Sequence, residues 1–564
     1  MRETTFWRRP GQGVVRAVSV AASAVAYTGG VSSPAGARTL HGSWLLLTLG
    51  IVAALQLVVV NFWPRFESPN ERARAYQALA VVTRGSLEIG VEVERFGGME
   101  DVATAGGRLF PNKAPGTLPL VLPGALLAHR LAAGDPQGEL RLALVLGRLL
   151  AASLPFSVCV LLLARLTVGF PRGGPLAVAA YALGTPALAA SLLLFSHALT
   201  ACMLLAGFLL LFGSPRPRWQ ARMLAGLLLA WAAVCEYPVA VPAAVVALAA
   251  LPRLGRNGTV ASVAGAAVPV ALLGAYNAAC FGSPFALSTA HEAFGSFAAL
   301  VRHGVFGISW PTLGGLTGLL FSPSRGLVVW APLVALAVWG ALVRPRWPET
   351  VSAKVALAAA PLALVVVMSG YPNWHGGWFP GPRYLLPVLP LLFALAARGA
   401  ESALEQPWGR VLVALGALWG WAMLWPVVVS FPFPPEDFPL PAFTLAPGLL
   451  ADGVLIPSWL PSEAFAVLLA VLALLAALQL FILATPGSRR GERLVAVALL
   501  LGVLLLASRL APPRSWQASL ERAVIHDVYA GGPEGALEAL RPRADTPARR
   551  GTLDALIARR DAPR

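Results

Sequence analysis

The sequence predicts an all-α polytopic membrane protein with about 12 to 14 transmembrane helices. Two observations predict this fold class. Of the 564 residues, 57% are hydrophobic and 12% are charged, against roughly 25% charged in ordinary soluble domains. The apolar residues also form long runs, and many approach the length of about 20 residues that a helix needs to cross a bilayer. A soluble fold has no way to bury so much apolar surface.

Short polar or proline-rich segments separate the apolar runs. Two of the runs, 175–213 and 222–251, are long enough to hold two passes each. The runs lie at 43–63, 117–131, 142–165, 175–213, 222–251, 258–280, 327–343, 350–369, 384–398, 408–430, 463–485 and 493–508.

Loop arginines indicate the orientation, because basic loops stay in the cytoplasm. Arginines precede the first run and recur in later loops, at positions such as Arg344, Arg398, Arg410 and Arg489.

The predicted domains are a basic cytoplasmic leader (1–42), a transmembrane domain (43–508), and a C-terminal outer tail (509–564) with one weakly amphipathic helix and a charged, disordered end. The predicted outer loops are 64–116, 281–326, 370–383 and the proline-rich 431–462.

The two longest outer loops test this arrangement. Loops 64–116 and 281–326 share a side only if an even number of spans lies between them. We therefore expect one of the two long runs to divide and the other to stay whole. Dividing 222–251 is preferred, because it places the arginines of 216–222 inside, and it also places Glu236 near the outer surface.

Composition argues against two other classes of site. The net charge of +16 does not indicate nucleic-acid binding, because the basic residues are scattered over loops. The four cysteines lie within apolar runs, where a thiol behaves as a small hydrophobe. His291, Glu292 and His303 share one loop but lack the spacing of a helical metal motif. No metal or cofactor is expected.

The first outer loop carries the most informative residues. It begins FESPNERARAY (66–76), which is typical of a solvated juxtamembrane helix that starts after Ser68. It ends GGRLFPNKAPGTLPL (106–120). There Lys113, one of only two lysines in the chain, precedes the next apolar run. A lysine at that position either anchors the helix at the interface or faces a lipid phosphate.

Several segments, in this order, resemble the GT-C superfamily of membrane glycosyltransferases, which use polyprenyl-phosphate-linked sugars. The likeness is greatest to the branch of protein O-mannosyltransferases and aminoarabinose transferases. The segments are NERARAY (70–76), FPNKAPG (110–116), GTPALAASLLLFSHALTA (184–201), FGSPF (281–285), LLFSPSRGLVVWAP (319–332) and NWHGGWFPGPRYLLPVLP (373–390).

The resemblance implies a GT-C-like bundle with a helical first outer loop. It further implies an inverting, metal-independent glycosyltransferase that transfers a sugar from a polyprenyl-phosphate donor to a hydroxyl of a lipid, glycan or protein, at the outer face of a bacterial inner membrane. In such relatives a carboxylate soon after the first span is essential, and here that residue is Glu71. The relatives commonly have two adjacent acids, but Asn70 occupies the first place. Glu67 is therefore the alternative base.

Breaking a sugar phosphate bond requires cations that stabilise the departing phosphate. Lys113, Arg325 and Arg383 stand at predicted outer helix ends and are expected to bind it, with interfacial anchoring as the alternative. The residues expected to line the cavity are Asn70, Arg74, His197, Glu236, His375 and Tyr384.

Two of these lining residues have further interpretations. His197 lies inside an apolar run, and the alternative for it is a core histidine that makes helix contacts. Glu236 also lies within a run, where a carboxylate is costly and therefore a functional candidate. For the whole chain, the alternatives to an enzyme are a multi-span transporter or lipid flippase, and a membrane scaffold whose loops and tail bind a partner.

Overall fold

The chain forms two compact units, Met1–Ser43 and Trp44–Arg564, and the structure is mostly helical, at 73%. The predicted leader, 1–42, lies outside the described residues apart from 35–42, which belong to the first helix. The structure is a computed structural model that describes residues 35–561 except positions 64, 67, 133, 303, 306, 344–349 and 531–534.

Six helices are long and apolar enough to cross a membrane, and six shorter apolar helices of 10–17 residues accompany them in the described part of the chain. The predicted all-α, multi-pass membrane fold is therefore confirmed. The long helices are Pro136–Leu166, Tyr237–Phe281, Val351–Ser369, Arg383–Ala403, Pro407–Ser430 and Ser462–Ala484.

The first half of the chain also holds a two-stranded antiparallel hairpin, β1 (Val102–Ala105) and β2 (Arg108–Pro111), within the first outer loop. The α-helices of this half are α1 (Ala35–Val58), α2 (Pro69–Arg84), α3 (Gly90–Phe96), α4 (Leu118–Leu131), α5 (Pro136–Arg148), α6 (Leu154–Leu166), α7 (Gly173–Leu183), α8 (Ala187–Ser191), α9 (His197–Phe212), α10 (Trp219–Cys235) and α11 (Ala240–Phe281).

The second half continues with shorter helices around the outer loops and ends in a helical tail. Its α-helices are α12 (Gly295–Val301), α13 (Leu313–Phe321), α14 (Leu327–Trp330), α15 (Ala335–Leu342), α16 (Val351–Ser369), α17 (Leu389–Ala403), α18 (Pro407–Ser430), α19 (Pro441–Thr444), α20 (Ala446–Ala451), α21 (Ser462–Ala484), α22 (Arg490–Ala507), α23 (Trp516–Ala523) and α24 (Pro547–Asp561).

Both long apolar runs are interrupted, and whether each interruption separates two membrane passes stays a prediction. The run 175–213 breaks between α7 and α9, where a glycine, a threonine and a proline follow one another from Gly184. The run 222–251 breaks at Glu236, whose backbone is extended at φ −149° and ψ 104°. A further bend lies inside α11 at Gly255, where a φ of 61° interrupts the helix. Such a positive φ is readily adopted only by glycine.

The apolar run 117–131 forms α4, which turns back on α5 as an antiparallel hairpin. Gly124 packs closely against Gly147, and His129 pairs with Glu139 near the turn, at 2.7 Å. Buried residues of α4 and α5 share a hydrophobic cluster with Tyr76 and other residues of α2. This run is therefore part of the assembly around the first outer loop.

Small residues let α10 approach the second part of α11. A β-carbon on Gly226 would collide with the carbonyl of Ser262, and one on Gly265 would collide with the carbonyl of Met223. Close backbone approach at small residues is the common way for helices to associate within a membrane.

The four predicted outer loops meet at one end of the helices. Which side of the membrane this end faces stays a prediction. The contacts between loops are a β-bridge between Ala103 and Glu292 and backbone hydrogen bonds from Ser309 to Gly370 and from Leu440 to Pro323, and a second bridge joins Val59 of the first apolar run to Ser458.

The C-terminal tail is folded further than its sequence suggested. Beyond α23 the chain forms a small hydrophobic core in which Leu553 of α24 is buried. Arg560, near the end of α24, lies 2.8 Å from Glu538 in an ion pair. The expected disordered end is therefore helical as far as Asp561, because one apolar residue and one ion pair hold α24 to the rest of the tail.

Candidate functional site

Helix α2 positions the predicted acidic residue. It begins with Pro69 in its first turn and ends at Gly85, whose φ of 62° supplies the left-handed end. Residues from Glu71 to Ala80 are buried. The NERARAY segment is therefore packed inside the protein, and the interpretation of a solvated helix was wrong.

The carboxylate of Glu71 is held in place within the protein. Its Oε1 accepts the backbone N–H of Leu194 at 2.8 Å, and the side chain also hydrogen-bonds to Ser68. Burial raises the pKa of Glu71 to about 7, while the bonds from Leu194 and Ser68 and the charge of Arg148 act in the opposite direction. The adjoining cavity measures about 20 Å³, enough for about one water molecule. The alternative acid, Glu67, lies outside the described residues.

One helical turn beyond Glu71, Arg74 enters a group of five side chains that we call the polar cluster: Arg74, Ser196, His197, Glu236 and Arg383. Arg74 donates from Nη2 to Ser196 Oγ at 2.9 Å, and Ser196 in turn donates to Glu236 Oε1. His197 Nδ1 lies 3.2 Å from the same oxygen. Both ring nitrogens of His197 are buried, and neither makes a hydrogen bond to a described residue.

Breaks in the helices bring this cluster together. Glu236 occupies the extended residue between α10 and α11, and Ser196 precedes the first residue of α9. Arg74 is fixed from its own helix, because Nη1 donates to both the carbonyl and the side-chain oxygen of Asn70. Asn70 therefore orients this arginine.

Arg383 reaches the cluster from the 370–383 loop. Its Nη2 donates to Tyr384 Oη at 3.2 Å, and its guanidinium lies 5.0 Å from the centre of the same ring. It interacts electrostatically with Glu236 and Asp101. Among the residues that the structure describes, no carboxylate forms an ion pair with it, so part of its donor capacity is unused.

Lys113 joins the same region through Asp101, at an Nζ to Oδ1 distance of 2.8 Å. The hairpin register pairs Val102 with Pro111, which places these two residues at its open end. Asp101 was not among the predicted site residues. Two adjacent glycines at 106–107 form the turn of this hairpin, and both have positive φ angles. Such a glycine pair in a sequence is typical of a hairpin turn.

Arg325 and His375 form a second group, and the charge of Arg383 acts on both. Arg325 is fully buried, and its guanidinium donates to the carbonyls of Ser324, Gly377 and Pro434 at 2.9–3.0 Å. Burial lowers the pKa of Arg325 to about 10. These bonds join three loops, while the buried Nε of Arg325 has no hydrogen-bond partner among the described residues.

His375 lies close to Arg325, with Glu436 between the two side chains. The distances to the Glu436 carboxylate are 3.8 Å from His375 Nδ1 and 3.9 Å from Arg325 Nη2. Burial lowers the pKa of His375. This histidine therefore belongs to the loop junction rather than to the polar cluster.

The tail covers part of the same face. Tyr529 packs edge-on against Phe66, with ring centroids 5.0 Å apart, and also contacts Trp378 and Phe431. Arg522 and Asp452 add an ion pair at 3.5 Å.

Of the predicted site residues, the structure brings together Arg74, Lys113, His197, Glu236, Arg383 and Tyr384. In the described ranges, no group of three or more histidine, cysteine or acidic residues is arranged to hold a metal ion. No protein-family model matches the chain. A search of curated proteins also finds no similar sequence.

Proposed function

We propose that this protein is an inverting glycosyltransferase that moves a sugar from a polyprenyl-phosphate donor to an acceptor hydroxyl. One observation carries the proposal. Arg74, Lys113 and Arg383 converge on the carboxylates of Glu236 and Asp101, with Glu292 beside Lys113, and of these cations Arg383 has no ion pair to a described carboxylate and a buried Nε without a partner. A guanidinium with unused donors at the loop-lined end of the helices suits a phosphate.

The proposed reaction is a single displacement at the anomeric carbon of the sugar. The acceptor oxygen forms a bond to the anomeric carbon, the bond from that carbon to the phosphate oxygen breaks, and the phosphate leaves with the electron pair. The acceptor proton passes to a carboxylate, for which the resemblance points to Glu71 or Glu67. Arg383 has unused donors for the departing phosphate, and Lys113 and Arg74 add positive charge.

An apolar groove suits the lipid part of such a donor. It has a volume of about 610 Å³ and is lined by residues 270–287 of α11 and the loop that follows. One lining residue, Leu287, precedes Ser288, whose Oγ donates to the carbonyl of Asn112 at 2.9 Å. A prenyl chain in the groove would therefore place its phosphate near Lys113.

The proposed location is a bacterial inner membrane, with the loop-lined end facing the periplasm or exterior. The six long apolar helices and the meeting of all four loops at one end support a membrane enzyme with a single active face. The partners are membrane lipid, the lipid-linked donor and an acceptor that is a lipid, glycan or protein.

The test is sugar transfer by the full-length chain in liposomes. The donors are radiolabelled polyprenyl phosphates of mannose, glucose, galactose and aminoarabinose, and the acceptor is envelope material from a deletion strain. We expect one donor to give a labelled product of inverted anomeric configuration, with no loss of activity in EDTA. Arg383→Ala should lower kcat/KM by about 10²- to 10³-fold, and the exposed Arg108→Ala serves as a matched control.

Two outcomes would overturn the proposal. Intact labelled donor that crosses the bilayer without bond cleavage would favour a transporter or flippase. Absence of both transfer and transport, while the chain is essential for the stability of a partner, would favour a scaffold.

A further inference from the structure

The polar cluster contains a carboxylate in a better position for proton transfer than Glu71. Glu236 Oε1 is bound by Ser196 and approached by His197 at 3.2 Å. Its Oε2 has no hydrogen bond to any residue in the described part of the chain, and 19% of the side chain is exposed. One oxygen is therefore fixed and the other has no partner in that part of the chain.

Glu71 offers the opposite arrangement. Its residue is 7% exposed, its Oε1 is bound to Leu194, and the cavity beside it holds about one water molecule. A general base must approach the proton it removes to about 2.6–3.2 Å. A sugar or lipid hydroxyl has no room at Glu71 in this conformation.

A buried arginine gives a structural reason for the presence of a carboxylate at position 71. Arg148 is 2% exposed and donates from Nη2 to the carbonyl of Gln56 at 2.8 Å, but Nε and Nη1 have no partner. Glu71 supplies a negative charge that interacts with Arg148. The ionised form lowers the cost of burying that guanidinium, but burial favours the protonated form, so the hydrogen bond from Leu194 is the main contact by which Glu71 serves the fold.

We propose that Glu236 is the general base of the glycosyl transfer, with Ser196 and His197 as positioning residues, and that Glu71 stabilises the fold. This inference depends on the proposed function above. The acceptor hydroxyl gives its proton to Glu236 Oε2 while its oxygen bonds to the anomeric carbon. The phosphate oxygen leaves with the electrons of the broken bond.

The surrounding charges suit this role. Arg74 from α2 and Arg383 from the 370–383 loop interact electrostatically with Glu236, and Lys113 and Asp101 lie at the edge of the same group. These cations favour the charged carboxylate in the free protein, which is the form a base needs. A phosphate bound to the arginines would neutralise them, so the proton affinity of Glu236 would rise when the substrate arrives.

The experiment compares Glu236→Gln with Glu71→Gln, using whichever donor the wild-type chain transfers. We expect Glu236→Gln to lower kcat by about 10²- to 10⁴-fold with less than a threefold change in the donor KM. Glu236→Asp should recover part of the rate, and its pH profile should shift relative to wild type. Glu71→Gln should retain at least one tenth of kcat.

A rescue experiment separates chemistry from folding. Formate added to Glu236→Ala should restore part of the transfer, because a small carboxylate can occupy the vacated position, and formate added to Glu71→Ala should not. Wild-type kcat in Glu236→Gln, or formate rescue in Glu71→Ala alone, would overturn the assignment while sugar transfer itself stands. No transfer by the wild-type chain would instead overturn the proposed function and this inference with it.

Discussion

The carboxylate of Glu71 and the backbone N–H of Leu194 are joined by a buried hydrogen bond of 2.8 Å. This bond ties the helix of the first outer loop to the non-helical segment between α8 and α9. Two segments more than a hundred residues apart in the sequence are therefore fixed to each other beside the polar cluster.

The ionisation of Glu71 should make stability depend on pH. Burial raises its pKa to about 7 from an unfolded value of 4.5, so the folded state holds the proton where the unfolded state has lost it. The stabilisation is fully present below about pH 4.5 and is lost as the pH rises through about 7. The expected loss is roughly 3 kcal/mol.

Thermal unfolding in detergent between about pH 5 and pH 8 measures this effect. Glu71→Gln cannot ionise, so its melting temperature should fall less with pH than that of the wild-type chain. Identical pH dependence in the two proteins would contradict the role of Glu71.

Lys113 and Arg383 should contribute unequally to donor binding. Lys113 is already paired with Asp101 at 2.8 Å, whereas Arg383 has no ion pair in the parts of the chain described. Lys113→Ala should therefore raise the donor KM by about tenfold. Arg383→Ala should raise the donor KM by more than that. Michaelis–Menten kinetics with varied donor test this order, and a larger effect from Lys113→Ala would refute it.

Docking of the tail should weaken at high pH. Glu521 of α23 is buried against Asp437 and Glu436 of the proline-rich loop, and burial raises its pKa to about 7, with a contribution from these acids. Because this folded pKa is raised above the ordinary value, the stabilisation is present at low pH and lost as the pH rises through about 7.

Limited proteolysis of the segment 509–515, which precedes α23, reports on docking. Cleavage should be faster at about pH 8.5 than at about pH 6 in the wild-type chain, after correction for protease activity with an unfolded substrate. Glu521→Gln should abolish most of that difference. A matched substitution at the exposed Arg541, Arg541→Gln, should leave it unchanged.

The contact between α10 and α11 should tolerate no side chain at Gly226. A β-carbon there would collide with the Ser262 carbonyl, and overpacking of this kind typically costs about 1–3 kcal/mol. Gly226→Val should therefore lower the melting temperature. Gly502→Val, in α22, is the matched control, because nothing lies within 4 Å of a β-carbon built at Gly502. An equal effect at both glycines would contradict this packing.

The sequence predicted the membrane fold because apolar composition and run length report directly on the bilayer. The number of passes in the two long runs stays a prediction, since a glycine or proline inside a run marks a weak point without showing whether the chain turns there. The conformations at Glu236 and Gly255 depend on the packing of neighbouring helices.

The candidate site was predicted in part. Arg74, Lys113, His197, Glu236 and Arg383 were all singled out from the sequence. Nothing in it placed Glu236 between Ser196 and the arginines, because that juxtaposition arises from two helix breaks and a loop that are far apart in the chain. The sequence also placed Arg325 with the phosphate ligands. Its three bonds to backbone carbonyls come from loops whose course only the folded structure supplies.

The packing of Tyr529 on Phe66 has a consequence for biosynthesis. Phe66 is synthesised 463 positions before Tyr529, and Arg65 likewise pairs with the carbonyl of Arg560, 495 positions later. On the nascent chain, the face of Phe66 that Tyr529 covers therefore stays exposed until the tail is made, although Phe431 and Phe433 can already pack on that ring.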